Sequence, residues 1–289
     1  MIVDERSTGL RLDQVLARLV DGLSRNEAKD LIEKRGVRVA GKPEKSKSRK
    51  VVTGDEITVD LSVLDDRSET LRSELKLALQ KVAVVAQGPG FVAVDKPSGL
   101  PCTPYCLGDT LHLQTAMAVT GLPDNGLVHR LDVGTSGLCL FATDTRAYDT
   151  FITARGTTLR RTYRALVDGP MEQSGVISAE IAHHATHADR MVSLPAERFR
   201  GEPQRAETRW SFVDAKGDIT EVELSITGGR RHQIRVHLAS IGRPIRGDAL
   251  YLSPLHAARF SLHARILHVI DTQGCAHVIV RDAPADFYT

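Results

Sequence analysis

No apolar run in the 289-residue chain is long enough to cross a bilayer, and the N-terminal MIVDERSTGLR lacks the apolar core of a signal peptide. A cytoplasmic chain with no membrane partner is therefore expected. Cysteine is sparse: Cys102, Cys106, Cys139 and Cys275 form no CxxC pair, which argues against a disulfide framework or a zinc knuckle and for reduced thiols. Nucleotide-binding loops are missing as well. Gly228-Gly229 does not complete GxGxxG and no GxxxxGK followed by Ser or Thr occurs, so a phosphate-bearing cofactor is not expected. His183, His184 and His187 could place two imidazoles on one helical face, but no HExxH accompanies them and no bound metal is expected. What remains is ordinary for a globular protein, with 42% hydrophobic and 26% charged residues.

The net charge of +2 hides an asymmetry. Arg6 to Lys50 holds 13 basic and 6 acidic residues, whereas Val51 to Gln80 holds 3 basic and 7 acidic. Within the basic stretch, Leu12, Val15, Leu16, Leu19 and Val20 have the spacing of one helical face. Ser24 and Glu27 form a capping-box pattern ahead of a second stripe, Ala28, Leu31 and Ile32, which Gly36 can end. Short strands follow at Val37-Arg38-Val39 and Ile57-Thr58-Val59, the first leading into a Gly41-Lys42 turn. Arg25 and Lys29, one turn apart, together with Arg38 and Lys42 make a basic helical corner suited to phosphates. A solvated charged face is the plainer reading of the same residues.

The order of these features, from RLDQVLARLVDGLSRNEAKDLIEKRGVRVAGK to VVTGDEITVD, resembles the S4 RNA-binding domain. The resemblance covers about residues 10 to 60 and implies a small S4 (αL-like) module over residues 1–60. Leu61 to Gln80 is acidic without a strong stripe and reads as part of a linker over residues 61–81. From Val82 onward, β-like runs at Phe91–Val94, Leu138–Ala142, Tyr163–Val167, Val222–Ile226 and Val278–Val280 alternate with Gly and Pro, pointing to an α+β domain with a large sheet over residues 82–289.

The segment Leu127 to Leu138, LVHRLDVGTSGL, sets a polar cluster between two apolar runs and reads as a loop between strands. Taken alone, Asp132 is an Asx-turn residue, His129 a structural histidine, Tyr163 a half-buried strand tyrosine and Arg235 a surface charge on a helix from His232 to Ile241. Their company changes this. HRLD-VG-TSGL, RTYRALVDG from Arg161, GGRRHQIRVHLASIGRPIRGDALY from Gly228, KPSGL from Lys96 and LHA at Leu262 to Ala264 follow one another in an order that resembles the RluA-type pseudouridine synthases. Arg161 and Arg231 depart from the commoner residues at their positions.

That resemblance implies a catalytic domain with a large mixed, mainly antiparallel sheet, and an isomerase that detaches uracil from C1′ of ribose, turns it and rejoins it through C5 without a cofactor. It implies Asp132 as the carboxylate at the sugar, where it could stabilise positive charge, attack C1′ or remove a neighbouring proton. Arg235 is implied as the guanidinium that holds Asp132, and Tyr163 as the face on which uracil stacks, with a phenol near the C5 proton. Arg130 falls at the wedge that replaces a flipped base. Arg230 and Arg231 precede a helix and could meet phosphate, and His129, Thr135, Ser136 and Gly137 would support the loop. The expected partner is RNA, ribosomal in preference to transfer RNA, and a monomer is expected. The competing reading is a non-catalytic RNA-binding or ribosome-assembly protein that keeps the fold.

Overall fold

The computed structural model describes residues 1–123, 126–154, 156–171, 173–196, 198–253, 257 and 259–289. The chain divides into two compact units, Met1–Glu74 with Thr103–His112, and Leu75–Cys102 with Leu113–Thr289.

In the first unit, helix α1 (Leu12–Leu19) buries Leu12, Val15 and Leu16, the start of the expected stripe. Leu19, also assigned to that face, is exposed, because the helix ends there and the chain turns away. Helix α2 (Arg25–Glu33) opens with the expected capping box: Glu27 N–H donates to Ser24 Oγ at 3.2 Å and Ser24 N–H to the Glu27 carboxylate at 2.9 Å. Its end differs from expectation. Arg35, not Gly36, takes the left-handed conformation (φ 62°), while Gly36 N–H reaches back to the Leu31 carbonyl at 2.8 Å. Gly36 is needed for space, since a Cβ there would strike Val63 and the Asp60 carbonyl. Strands β1 (Val37–Val39) and β2 (Lys42–Pro43) form a hairpin through Ala40 and Gly41, both at positive φ as a type I′ turn requires, and β3 (Ile57–Val59) pairs on the other side of β1. Ala28, Leu31, Ile32, Val37, Val39 and Ile57 close one core with the α1 residues. Residues 61–81, expected as a linker, contain a one-turn 3-10 helix (Leu61–Leu64) whose Leu64 joins that core, and helix α3 (Glu69–Leu79).

The second unit contains β4 (Ala83–Gly88), β5 (Phe91–Lys96), α4 (Leu113–Ala118), β6 (Ser136–Ala142), α5 (Thr145–Thr153) and β7 (Leu159–Asp168). These are followed by β8 (Ser174–Ser178), β9 (Ile181–His184), β10 (Met191–Ser193), β11 (Phe199–Gln204), β12 (Glu207–Lys216) and β13 (Ile219–Thr227). Helix α6 (Gln233–Ser240), β14 (Leu262–Ile270) and β15 (Ala276–Val280) complete it. Among the described residues nine strands form one sheet in the order β4-β5-β6-β14-β7-β13-β12-β8, with β15 also paired to β14. Only the β6–β14 pairing is parallel, so the sheet is mixed and mainly antiparallel, and the architecture is α+β as expected.

Two central features bear on function. Every residue of β6 is buried, as a central strand covered on both faces should be, and on one face its Leu138 and Leu140 join Phe91 of β5 and Phe151 of α5 in one core. At the parallel junction Gly137 (φ 105°) lies against Ala264, where a Cβ would collide with the Ala264 backbone. β9, β10 and β11 form a separate three-stranded sheet. His183 and His184 are consecutive on β9 and so point to opposite faces, which removes the helical juxtaposition considered for metal binding. Among the described residues no group of three or more His, Cys, Asp or Glu side chains is placed to hold a metal ion.

Candidate active site

An open pocket on the second unit is lined by Asp132, Tyr163, Arg235, Arg130, Arg161 and His232, among others. These residues come from three sequence-distant segments. Asp132 lies in the loop that leads into β6, Tyr163 lies on β7, and Arg235 lies on the first turn of α6. β14 alone separates β6 from β7 in the sheet, and Asp132 and Tyr163 line the same pocket.

The loop is strapped from both ends. Upstream, Val128 N–H donates to the Leu140 carbonyl and Leu140 N–H to His129 Nε2 at 3.2 Å, so His129 ties the approach to β6, where an isolated bridge between Leu127 and Phe141 stands among the described residues in place of the expected strand. Thr135 N–H closes the turn on the Asp132 carbonyl at 3.0 Å. Ser136 Oγ accepts from Arg259 at 2.6 Å and meets His263 Nδ1 at 2.8 Å. The KPSGL segment supplies a second strap. Lys96 Nζ donates to the Leu100, Pro97 and Val133 carbonyls at 2.7, 3.0 and 3.1 Å, Ser98 Oγ to the Gly134 carbonyl at 2.7 Å, and Gly99 N–H to the Val133 carbonyl at 2.9 Å. Burial pushes the Lys96 ammonium below its ordinary pKa. Leu131 N–H donates to Cys102 Sγ at 3.3 Å. A hydrogen bond with the Cys139 thiol, with further help from the Lys96 charge, brings the Cys102 thiol down to about 7.

Arg235 is the hub. Its Nη1 donates to Asp132 Oδ2 at 3.2 Å, while Nε and Nη2 donate to the two oxygens of Asp248, each at 2.8 Å. The guanidinium also lies 5.2 Å from the centroid of the Tyr251 ring and 5.0 Å from that of Phe260. Burial works against its charge, but the Asp248 and Asp132 carboxylates more than offset this and hold its pKa above the ordinary arginine value. His232 stands before α6 in the left-handed conformation (φ 55°), with Nε2 at 4.0 Å from Asp132 Oδ2 and Nδ1 at 3.1 Å from the Tyr251 hydroxyl. Its burial outweighs the pull of Asp132 and lowers its pKa to about 4, so the imidazole is neutral at pH 7. Tyr163 is buried, which raises its phenol pKa despite the nearby Arg161, so the phenol stays protonated.

A family model described as RNA pseudouridylate synthase matches residues 90–240, and an S4 domain model matches residues 10–57. The chain belongs to the RNA pseudouridylate synthase family. Such enzymes are isomerases. The synthase is 34% identical over 257 residues to a ribosomal large subunit pseudouridine synthase D of Nitrosomonas europaea, covering 87% of this chain and 71% of that one. It is 30% identical to a protein of the same name from Yersinia pestis, over 86% of this chain and 75% of that one. It is also 29% identical to an uncharacterized RNA pseudouridine synthase of Synechocystis sp., over 99% and 89% of the two chains. In fold it is similar to human RNA Pseudouridylate Synthase Domain Containing 1, with a TM-score of 0.60 at 22% identity over 71% of this chain and 85% of that one.

The other residues singled out from the synthase's sequence are dispersed. Arg130 is exposed at the pocket's edge beside Asp132. Arg230 donates to the Arg205 carbonyl at 3.3 Å, and Arg231 to the Ala188 and Asp189 carbonyls, both at 3.3 Å, so each has a structural contact while remaining exposed. Gln233 laces this turn, its amide donating to the Glu207 and Thr227 carbonyls and its oxygen accepting from Arg230 N–H. In the S4 domain Asp13, buried, accepts from Arg11 and Arg25 and fixes both guanidiniums at the surface. Arg38 and Lys42 are exposed on the β1–β2 hairpin and Lys29 is half-buried on α2.

Asp248, His232 and Tyr251 were not singled out from sequence. They lie in the GGRRHQIRVHLASIGRPIRGDALY run that carried the resemblance, but only the fold shows that Asp248 returns to Arg235 thirteen residues on.

Proposed function

We propose that the synthase converts a uridine of large-subunit ribosomal RNA to pseudouridine, with Asp132, Arg235 and Tyr163 as its working set. One observation carries this reading: a carboxylate, the guanidinium that grips it and a buried tyrosine ring line one open pocket. In this reading Asp132 acts at C1′ as uracil departs, Arg235 keeps its carboxylate aimed, and the Tyr163 ring is the floor on which the free base turns. Arg130, exposed at the rim, fills the gap left by the flipped nucleotide. Arg230 and Arg231, at the turn before α6, contact phosphate with whatever hydrogen-bonding capacity the backbone carbonyls leave free. His129, Thr135, Ser136 and Gly137 keep the loop in register with β6 and β14.

Residues 1–60 supply affinity through Arg25, Lys29, Arg38 and Lys42, and residues 82–289 supply the chemistry. The charge pattern of the S4 domain and the names of the relatives support an RNA partner, and the latter favour the ribosomal large subunit. A cytoplasmic, monomeric enzyme working without a cofactor completes the proposal. A non-catalytic scaffold would have no use for the assembled set. The deciding experiment is transcriptome-wide pseudouridine mapping with and without the gene. Loss of one or more sites in large-subunit ribosomal RNA is the expected result. Loss confined to transfer RNA would overturn the substrate, and no loss anywhere would overturn the activity.

A further inference from the structure

Uracil cannot leave the sugar without taking the bonding electrons. When the C1′–N1 bond breaks, the pair goes to the base, whose negative charge spreads from N1 onto O2 and O4. When C5 joins C1′ the base gives that pair to the new bond, loses the C5 proton and gains one at N1, so the reaction balances without a co-reactant. Asp132 answers the positive half of this separation. The negative half calls for a donor beside the base.

Most cations of the pocket are otherwise engaged. Arg235 is committed to Asp132 and Asp248, and burial keeps His232 neutral at pH 7. Arg130 is exposed at the rim, and Arg230 donates to the Arg205 carbonyl. Arg161 is placed differently. It lies on β7 two residues before Tyr163, so strand alternation puts both side chains on one face of the sheet, and both line the pocket. Its guanidinium packs against the turn before α6, where a Cβ on Gly229 would strike it. Burial raises the Tyr163 pKa and the Arg161 charge opposes that rise, as a cation close to the phenol must. The ion pairs of the pocket are those of Asp132 and Asp248, and among the described residues none includes Arg161. The side chain is half-buried, so its charge is less screened than that of a surface arginine.

We infer that Arg161 is a catalytic residue that donates to a carbonyl oxygen of the uracil stacked on Tyr163, stabilising the base as it departs with its negative charge. The inference rests on the proposed roles of Asp132 and Tyr163. A guanidinium stays charged at every working pH and carries only donors, so it matches a carbonyl that gains charge in the transition state. The neutral carbonyl of the bound uridine takes less from the same contact, so the bond speeds detachment more than it tightens binding.

The test uses the full chain under single-turnover conditions with a large-subunit ribosomal RNA fragment containing the modified uridine. It reads the rate at saturating enzyme and the enzyme concentration for half-saturation. Arg161→Met is expected to slow the saturated rate about 100-fold or more, the worth of one donor at a developing oxyanion, with half-saturation within about threefold of the parent. Arg161→Lys keeps the charge and should stay within about tenfold of the parent rate. The same fragment is then made with 2-thiouridine or 4-thiouridine at the target, because sulfur accepts a hydrogen bond more weakly than oxygen. At one of the two positions the thio substitution should cost the parent about fivefold or more beyond what it costs Arg161→Met. Should Arg161→Met not fold, Arg161→Gln, which keeps the stem and a polar tip without the charge, takes its place with the same expected ratio.

No difference at either thio position would overturn the inference. So would a lysine variant as slow as the methionine one. A loss that falls on half-saturation and on the salt dependence of binding, with the saturated rate unchanged, would overturn it in favour of a phosphate contact. Asp132→Asn run alongside separates the two ideas. If that variant remains active while the thio difference persists, the inference stands and the reading of Asp132 has failed.

Discussion

Replacing Asp132 by asparagine removes one charge and almost nothing else. The Asn oxygen can still accept from Arg235 Nη1, where Asp132 Oδ2 accepts at 3.2 Å, and the turn closed by Thr135 N–H on the residue-132 carbonyl is a backbone contact that the change leaves alone. Arg235 should not move either, since its fork to Asp248 does not involve residue 132. The stability lost is that of a partly exposed ion pair, about 1 kcal/mol or less, which in a domain of this size lowers the melting temperature by about 2–4 °C at most. The effect on catalysis is of another order. Removing a group that acts where transition-state charge develops forfeits about 3–4 kcal/mol or more, so the rate should fall by a factor of about 150 to 900 or beyond. Purified variants would be incubated with RNA from a deletion strain and pseudouridine quantified by mass spectrometry after chemical labelling. Asp144→Asn is the control. Asp144 caps α5 by accepting from Ala147 N–H at 2.9 Å, and asparagine caps equally well, so that variant should behave as the parent. Conversion by Asp132→Asn within about tenfold of the parent would refute the assignment, because a lost full charge at the reacting carbon cannot be that mild.

Arg130→Ala should slow turnover on folded RNA more than on an already unpaired oligonucleotide, since only the former needs a base extracted; equal losses on both would exclude the wedge. Lys29→Ala, Arg38→Ala and Lys42→Ala should each weaken binding across RNA sequences and reduce the slope of log affinity against log salt by roughly 0.7–0.9 for every phosphate contact removed, and unchanged slopes in filter binding would show that these residues face solvent only. Stability should fall as the medium is acidified from pH 6.5 toward pH 4. His232 has its folded pKa depressed from 6.5 to about 4 by burial, and His237 and His263 are depressed in the same direction for the same reason. Below 6.5 the unfolded chain takes up protons that the folded chain refuses, so the stability present above 6.5 is lost on the way down. Thermal melts that stay flat between pH 7.5 and 5 would contradict this.

The local elements of the N-terminal module could be read from sequence because their causes are local. The capping box at Ser24 and Glu27 and the buried stripe of Ala28, Leu31 and Ile32 depend on neighbours within a few residues, whereas the turn expected at Gly41-Lys42 falls one residue earlier, at Ala40-Gly41, because Lys42 pairs with Val39. Leu19 and Arg35 were less legible, since periodicity cannot tell where a helix stops and nothing marks an arginine for a left-handed cap. In the second unit the expected runs at Phe91, Leu138, Tyr163, Val222 and Val278 are strands, but β12 and β14 and the small sheet of β9, β10 and β11 were not anticipated. β12 carries alternating charge on an exposed surface and β11 reads Phe-Arg-Gly-Glu-Pro-Gln, so neither advertises a buried face. Nothing in residues 183–187 signals a strand in preference to the helix weighed there; that distinction comes from pairing with Met191 and Arg200.

The site shows the same division more sharply. Asp132, Tyr163 and Arg235 were found through the order of motifs, yet what makes them a unit is long-range: a parallel β6–β14 junction that only glycine at 137 permits, and a lysine fully buried to hold a loop 37 residues away. KPSGL is informative for that reason. Taken alone, Lys96 reads as a charged residue at the end of a strand, a position that normally faces water. Its ammonium is instead spent on three carbonyls, two from its own turn and one from Val133, the residue after Asp132. Asp248 follows the same logic: as a carboxylate in an Arg-Gly-Asp turn it is unremarkable, and only the return of the chain past α6 sets it against Arg235. Both are buried charges held by several hydrogen bonds, the arrangement in which removing one partner is far more damaging than removing a surface ion pair. The residues that sequence undervalues here are therefore those whose charge is consumed internally, and the residue they leave half-exposed, single-bonded and facing the pocket is Asp132.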